Sequence, residues 1–477
     1  MTTAPIPFGQ NQESGQSELA GASPQVMNLV VDSKGAIRRR PGIKAYAGAP
    51  STAIDAYGIS GMYATSAGQL YAVGNHPSRK AFYRVLPGGA VQLSAAGKEL
   101  VGTQRPTFAE TEAMLAVTTG AGIRRVIFAG LDWAPLGGSP PAASSHVIAN
   151  NNRLLSNDLG PYKNQVFFSN QAAGTATSPS EDWVTGTAGF VSADARPDPI
   201  VALWENSNQV FAFGSTTTQI LVPDPTLVYA SSITREYGCM APYSVIKFEG
   251  GFAWLDHMKR FVAGSGSGND FKPISQPIQN DLDVLDTTGC YGYRVQLGIS
   301  DVLVWTLPVS GRTYVYSVGT GWSQWSGWND AANNWQTFKA LSYFQRPDFD
   351  VPLVGTSDGK IGTLDQDTST DLGERIVASS ITGFQSHDTS KLKLCTAVRL
   401  MFKPVSSVTA SEPTAWLSWR DGMGDFCNPL AVDLTTSPVV QFRGLGTYRT
   451  REWKLVFSGT DEFELAGVEE DYDVLGA

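Results

Sequence analysis

Helical periodicity is nearly absent from this chain of 477 residues. Only "NDLDVLDTTG" (Asn280–Gly289) has the spacing and Asp-rich ends for about two helical turns. Helical bundles and alternating α/β folds are therefore not expected. Charged residues make up only 17% of the chain, yet no apolar run approaches the ~18 residues needed to cross a bilayer. The first residues, "MTTAPIPFGQ", lack the basic and apolar regions of a secretory signal. A soluble protein made in a cytoplasm is the expectation, with no membrane-spanning segment.

The residues that usually carry chemistry are sparse as well. Cys239, Cys290, Cys395 and Cys427 are far apart, without a C-x-x-C pair or a histidine at ligand spacing. They read as isolated buried thiols, and no tetrahedral zinc site can be assembled from them. His76, His146, His257 and His387 are scattered one to a long segment, so neither a triad nor a metal site is expected. No phosphate-cradling glycine loop follows a strand, and "GSGSGND" (Gly264–Asp270) reads as a hairpin loop. No catalytic residue, metal or cofactor is expected.

Positive charge is also missing. The net charge is −9, and seven acids with no Lys or Arg lie in Asp461–Ala477. The remainder holds 37 acids against 35 bases and is nearly neutral. A surface that grips DNA normally shows a basic excess, and none is visible here.

What the chain has in abundance is turn and strand. Its 49 Gly and 27 Pro punctuate runs rich in 12 Trp, 16 Tyr and 22 Phe, the texture of an all-β protein. One phrase recurs, a turn followed by a short apolar strand: "GQLYAVGN" (Gly68–Asn75), "NQVFAFGS" (Asn208–Ser215), "GGFAWLDH" (Gly250–His257), "DVLVWTLP" (Asp301–Pro308) and "DGKIGTLD" (Asp358–Asp365). Units start near Ala53, Thr103, Ser144, Pro199, Tyr243, Tyr291 and Phe338, at spacings matching propeller blades of ~40–50 residues. Beyond about Asp371 the strand candidates lengthen, as in "LCTAVRLMFKP" (Leu394–Pro404) and "REWKLVFSG" (Arg451–Gly459). The expectation is an all-β fold, a six- or seven-bladed β-propeller with an additional C-terminal β-sandwich or sheet domain. Its parts would be an extended N-terminal arm (1–34), the propeller with loop insertions (35–370) and a C-terminal β domain with an acidic end (371–477).

Three local patterns invite a functional reading. Trp322, Trp325 and Trp328 recur three apart in "GWSQWSGWND", which suits either a sugar-stacking surface or a blade's buried aromatic cluster. "TSDGKIG" (Thr356–Gly362) and "SWRDGMGDF" (Ser418–Phe426) resemble Asp-box turns, which close hairpins and are found in sialidases. A sialidase-like site would also need an arginine cluster, a tyrosine nucleophile and a paired glutamate, and these cannot be assembled. Arg38, Arg39 and Arg40 form the one basic run, a candidate contact with a neighbouring subunit or an adaptor, or a solvated strand face.

Four pieces in order resemble the tail hub or nozzle proteins of short-tailed bacteriophages, also called packaged-DNA stabilisation or head-completion proteins. They are "VMNLVVDSKGAIRRRPGI" (Val26–Ile43), "VFAFGSTTTQIL" (Val210–Leu221), "GCMAPYSVIKFEGGFAWL" (Gly238–Leu255) and "FRGLGTYRTREWKLVFSG" (Phe442–Gly459). The acidic last segment lies outside these pieces. The resemblance implies a propeller protomer in a hexameric ring below the portal and adaptor of the virion tail. Such a ring surrounds the genomic double-stranded DNA without reading its sequence, holds packaged DNA in, and carries tail fibres or spikes. It implies a structural protein, not an enzyme. The alternative class is a propeller glycan-binding protein or glycosidase, motivated by Trp322–Trp328 and the Asp-box-like turns.

Overall fold

The computed structural model describes residues 2–6, 8, 26–31, 36–77, 79–86, 88–94, 98–128, 131–171, 180–193, 196, 198–206, 208–265, 270–297, 300–318, 321–346, 349–403, 415–432, 437–458 and 463–476. Its fold is an all-β propeller with extra C-terminal sheets. Six blades are four-stranded antiparallel meanders of continuous chain, whose innermost strands are Ile59–Ala64, Thr107–Glu110, Val147–Asn150, Ile200–Asn206, Ile246–Phe248 and Tyr291–Leu297. A composite seventh sheet completes the circle. It takes Ala340–Arg346, Phe349–Thr356 and Ile361–Asp365 from the end of the propeller and Gly42–Ala45 from its beginning. Its inner strand Ala340–Arg346 lies between that of the sixth blade and that of the first.

The recurring phrase is now explained. Leu70–Gly74, Gln209–Gly214, Gly251–Leu255 and Ser300–Leu307 are each the second strand of a blade, paired on both edges. Neighbouring blades cover both faces of such a strand, so its apolar residues run on without alternation. Leu70, Tyr71, Ala72 and Val73 are all buried, as are Phe252, Ala253, Trp254 and Leu255. "DGKIGTLD" differs: it forms the third strand of the composite sheet, Ile361–Asp365. The one α-helix among the described residues, Gln279–Val284, overlaps the first half of the expected helical stretch Asn280–Gly289 and starts one residue before it. No side-chain cap starts it; its N-cap residue is Ile278.

The C-terminal strands build a two-sheet sandwich. One sheet runs in the order Leu29–Val31, Ile37–Arg39, Glu464–Val474, Lys393–Phe402, Val439–Arg443. The other continues the sixth blade: past Gly321–Gln324 come Val26–Met27, Ala378–Ile381, Arg451–Phe457, Ala415–Asp421 and Leu430–Val432. Between them lies a core that includes Leu29, Val398, Leu400, Trp453, Leu455 and Phe457. The described part of the N-terminal arm is bound into this assembly, because Thr2–Pro5 pairs with Glu469–Tyr472. Residues 9–25, and the insertion at 172–179, lie outside the described residues.

Candidate functional site

The seven inner strands meet on an axis whose two ends differ. At the end where these strands begin, side chains close the passage. Arg105 donates through Nη2 to the carbonyls of Ser60 (3.1 Å) and Leu341, and its guanidinium lies 3.6 Å from the centre of the Tyr291 ring. Beside it the Tyr243 hydroxyl donates to Gln104 Oε1 at 2.8 Å, and Tyr243 stacks on His146 at 5.2 Å. His146 Nδ1 is 3.0 Å from Ser145 Oγ, and Asn157 Nδ2 donates to Ser145 Oγ (2.9 Å) and to the Ile200 carbonyl (3.2 Å). All seven sheets supply a group to this plug. Burial pushes the His146 imidazole down to about 4, so it is neutral at physiological pH.

At the other end the axis opens into a cup of about 1320 Å³ between the inner strands of blades four to six and the composite sheet. Trp204, Phe248, Tyr343 and Phe344 line its wall, together with Asn206, Gln209, Gln296 and Gln345. Its three cations are held by carboxylates. Lys247 pairs with Glu205 at 3.3 Å, Arg294 with Asp301 at 2.6 Å and Arg346 with Glu110 at 2.8 Å. Burial pushes the Tyr343 phenol up, as it does that of Tyr63, which donates to Glu110 at 3.0 Å.

The singled-out residues lie elsewhere, and the structure does not bring them together into one site. In the strand Ile37–Arg39, Arg38 is exposed and Arg39 buried, and Arg40, just past the strand, is buried as well. Arg38 points outward and pairs with Glu464 at 2.6 Å, within the same chain. Arg40 is fully buried and spends all five N–H groups. Nε donates to Asn28 Oδ1 (2.9 Å), Nη1 to the Pro41 carbonyl (2.9 Å) and Asp371 Oδ1 (3.0 Å), and Nη2 to the Ser326 carbonyl (3.1 Å) and Asp371 Oδ2 (2.5 Å). Asn28, held at φ 55°, completes the lock by donating to the carbonyls of Ser326 (2.9 Å) and Val377 (2.7 Å). Asn is among the few side chains that take this left-handed backbone readily. The "N…RRRPGI" piece is thus a clasp joining the N-terminal segment, the propeller and the start of the sandwich.

The tryptophans diverge, which removes the three-ring platform. Trp322 is buried against Trp305 and Phe261 and donates to the Ile274 carbonyl at 2.8 Å. Trp325 is buried edge-on to Phe338 in another cluster, and Trp328 packs on Trp335 in a small hairpin. The Asp-box-like segments are turns in the fold. In "TSDGKIG", Gly359 has φ 78° and the Thr356 hydroxyl accepts from the Lys360 N–H at 3.1 Å. In "SWRDGMGDF", Asp421 pairs with the buried Arg451 at 2.6 Å.

Other pieces of the resemblance are spent on internal bonds in the same way. The turn of "VFAFGSTTTQIL" is gathered by Asp198, which accepts the N–H groups of Ser215 (2.9 Å), Thr216 (2.8 Å) and Thr217 (2.7 Å). Burial opposes its ionisation, yet these bonds hold the carboxyl below its usual range. In "GCMAPYSVIKFEGGFAWL", Trp254 donates to the Gly238 carbonyl at 3.0 Å, and Ser244 accepts from the Leu255 N–H at 2.9 Å. In the last piece, Tyr448 donates to the buried Glu470 at 2.6 Å, and Arg451 lies over the Tyr448 and Trp453 rings.

Residues 167–369 match the family model Phage_stabilise, described as Bacteriophage P22 Gp10, beta-propeller. Over this segment the chain is similar to the phage stabilisation propellers. The match begins in the third blade and ends in the composite sheet, and it contains two of the four quoted pieces. This supports a phage structural protein of the tail or DNA-stabilisation type. No curated protein sequence matches the chain. Among solved structures it is similar to virginiamycin B lyase from Staphylococcus aureus, with 10% identity, a TM-score of 0.43, and coverage of 65% of this chain and 94% of that one. The N-terminal domain of Nup159 is similar with 9% identity, a TM-score of 0.39, and coverage of 72% and 99%. At such distances these likenesses carry no argument about activity.

The axial plug and cup were not legible in the sequence. Their residues come from all seven sheets, and each is isolated in its own stretch of chain. Recognising the first strand of every unit as an inner strand, and aligning the residues at its two ends, would have been the available signal.

Proposed function

We propose that this chain is a structural, non-enzymatic subunit of the virion tail. Copies would form a ring, hexameric by the family resemblance, below the portal and adaptor, retaining packaged DNA and anchoring tail fibres or spikes. The observation that carries this reading is the use made of the family-like pieces. Asn28, Arg40, Asp198, Tyr448 and Arg451 are all engaged in fastening one part of the fold to another. A part that must withstand internal DNA pressure gains from such cross-links, since local opening is suppressed where buried contacts tie distant segments.

The plug bears on where the DNA would run. With Arg105, Tyr243 and His146 filling the axis, the propeller offers no passage for a duplex, so the conduit would run between subunits. Side-to-side contacts that close by rotation are how such a ring forms. Low net charge away from Asp461–Ala477 fits a conduit that does not hold phosphate tightly. Electron microscopy of the purified protein mixed with portal–adaptor complexes tests the proposal. A ring capping the complex is expected; bare complexes at saturating protein would overturn it.

A further inference from the structure

The cup has features that the tail-ring role leaves unused. It is open at its mouth, where Glu249 and Gly250 are exposed. Gly250 has φ 86°, and a Cβ there would meet open space, so its turn leaves the lip wide. "KFEGG" (Lys247–Gly251), in the third quoted piece, lines the cup.

From this we infer that the cup binds an uncharged oligosaccharide. Charge decides against the obvious competitors. Lys247, Arg294 and Arg346 are each neutralised by a partner carboxylate, and Glu249 adds one more acid. Three cations against four anions leave no field to hold a phosphate, a nucleic acid or an acidic sugar. A net of one negative charge spread over so wide a mouth does not make a cation site either, and among the described residues no acidic or histidine cluster could hold a metal.

The remaining chemistry matches a pyranose. Each sugar ring has an apolar face of C–H groups, and the apolar part of the lining comes from Trp204, Phe248 and Phe344, each half-buried against a different inter-blade core. Its edge carries vicinal hydroxyls, each both donor and acceptor. Planar groups with a donor and an acceptor side by side suit that edge, and the amides of Gln296 and Gln345 are exposed. Gln345 is already oriented, because its Oε1 accepts from the Tyr343 hydroxyl at 2.6 Å and leaves the NH₂ free to turn to a ligand. The ion pairs fix the Arg294 and Arg346 guanidinium groups in place, which lowers the entropy lost when a ligand binds. A cup of about 1320 Å³ is larger than a typical single-ligand pocket of roughly 300–1,000 Å³, which favours several sugar units over one.

The test is titration calorimetry of the full chain with maltohexaose, cellohexaose and chitotetraose, against sialyllactose and a heparin hexasaccharide. At least one neutral probe should bind, with a change in tryptophan emission from Trp204. Gln296→Ala and Gln345→Ala, both at exposed positions, should each weaken it about fivefold or more, the worth of one lost hydrogen bond, without moving the melting temperature. Trp335→Ala, on the hairpin away from the cup, should bind like the parent. Absence of binding by every neutral probe at about 10 mM overturns the inference. So does binding restricted to the anionic probes, or binding indifferent to both glutamine substitutions. Failure here leaves the ring proposal standing, since that reading is judged by capping of the portal complex.

Discussion

Removing the Arg40 side chain should be among the most damaging single changes available to this protein. Its guanidinium is fully buried, and Asp371, whose side chain is 4% exposed, takes two of its five N–H groups. Arg40→Met fills most of the volume but leaves the Asp371 carboxylate buried without its cation. Breaking such a pair from one side costs about 3–5 kcal/mol, because the remaining charge has lost both its partner and its water. Asn28 Oδ1 and the Ser326 carbonyl also lose a donor, although each keeps another contact in the clasp. Asp371→Leu should cost a similar amount by stranding the guanidinium. The double variant should recover a large part of the loss, since a hydrophobic pair of similar volume is often neutral.

The assay is unfolding by urea followed by tryptophan emission, with hydrogen exchange to locate the damage. A chain of several sheets need not unfold in one step, so the quantity to compare is the first transition that reports the clasp. Faster exchange should concentrate at Asn28, Ile43 and Leu372, whose N–H groups or side chains bond across this junction. Single variants within about 1 kcal/mol of the parent would refute the reasoning. So would single losses that simply add in the double variant, because the argument requires strong coupling.

Two further outcomes follow from the same geometry. The His146 pKa is depressed in the folded state to about 4 from the ordinary 6.5, so its contribution is fully present above pH 6.5 and is lost as pH falls towards 4. The full effect is about 3 kcal/mol, and His146→Phe should flatten the pH dependence of unfolding between pH 6.5 and 4; an unchanged slope would refute the assignment. Gly359→Ala meets two obstacles, a φ of 78° and an added Cβ only 1.8 Å from the Asp55 carbonyl oxygen, at the seam between composite sheet and first blade. A loss exceeding about 1 kcal/mol is expected by thermal melting, and a neutral substitution would contradict the described closure.

Much of the propeller could be read from residues because its signals are local. A second strand covered on both faces writes itself as an uninterrupted apolar run, and the turns beside it demand Gly, Asn or Asp. Gly42–Ala45 was harder to place. Nothing in "GIKA" states that it will pair with Ile361–Asp365, more than three hundred residues away, and so complete the composite sheet. The tryptophan spacing left a surface and a buried cluster both open for a related reason. Trp322 ends one blade edge, Trp325 lies in the connection and Trp328 opens a separate hairpin, so equal spacing along the chain places no two of them on one face. Candidate site residues were the least legible, since the cup is assembled from four inner strands whose amides and aromatics look ordinary one at a time.

The acidic end changes meaning most once the sheets are known. As sequence, its acids resemble a solvated terminal segment that sets the net charge. In the fold, Glu464–Val474 is a strand inside the seven-stranded sheet, flanked by Lys393–Phe402 on one edge and by Ile37–Arg39 and Thr2–Pro5 on the other. Its acids meet partners in register. Glu464 takes Arg38 and Lys403, Asp471 takes Arg399 at 2.6 Å and the Thr3 hydroxyl at 2.6 Å, and Glu470 takes Tyr448 and His387. The cations that answer it come from both ends of the chain, so the charge imbalance of the last residues is a pattern for docking the first ones. With Arg40 clasping Asp371 and Gly42–Ala45 completing the composite sheet, the N-terminal segment is fastened to the propeller and the sandwich at once. The circle, closed by Ala340–Arg346 against Ile59–Ala64 and by Gly42–Ala45 on Ile361–Asp365, is thereby joined to the sandwich through the N-terminal segment.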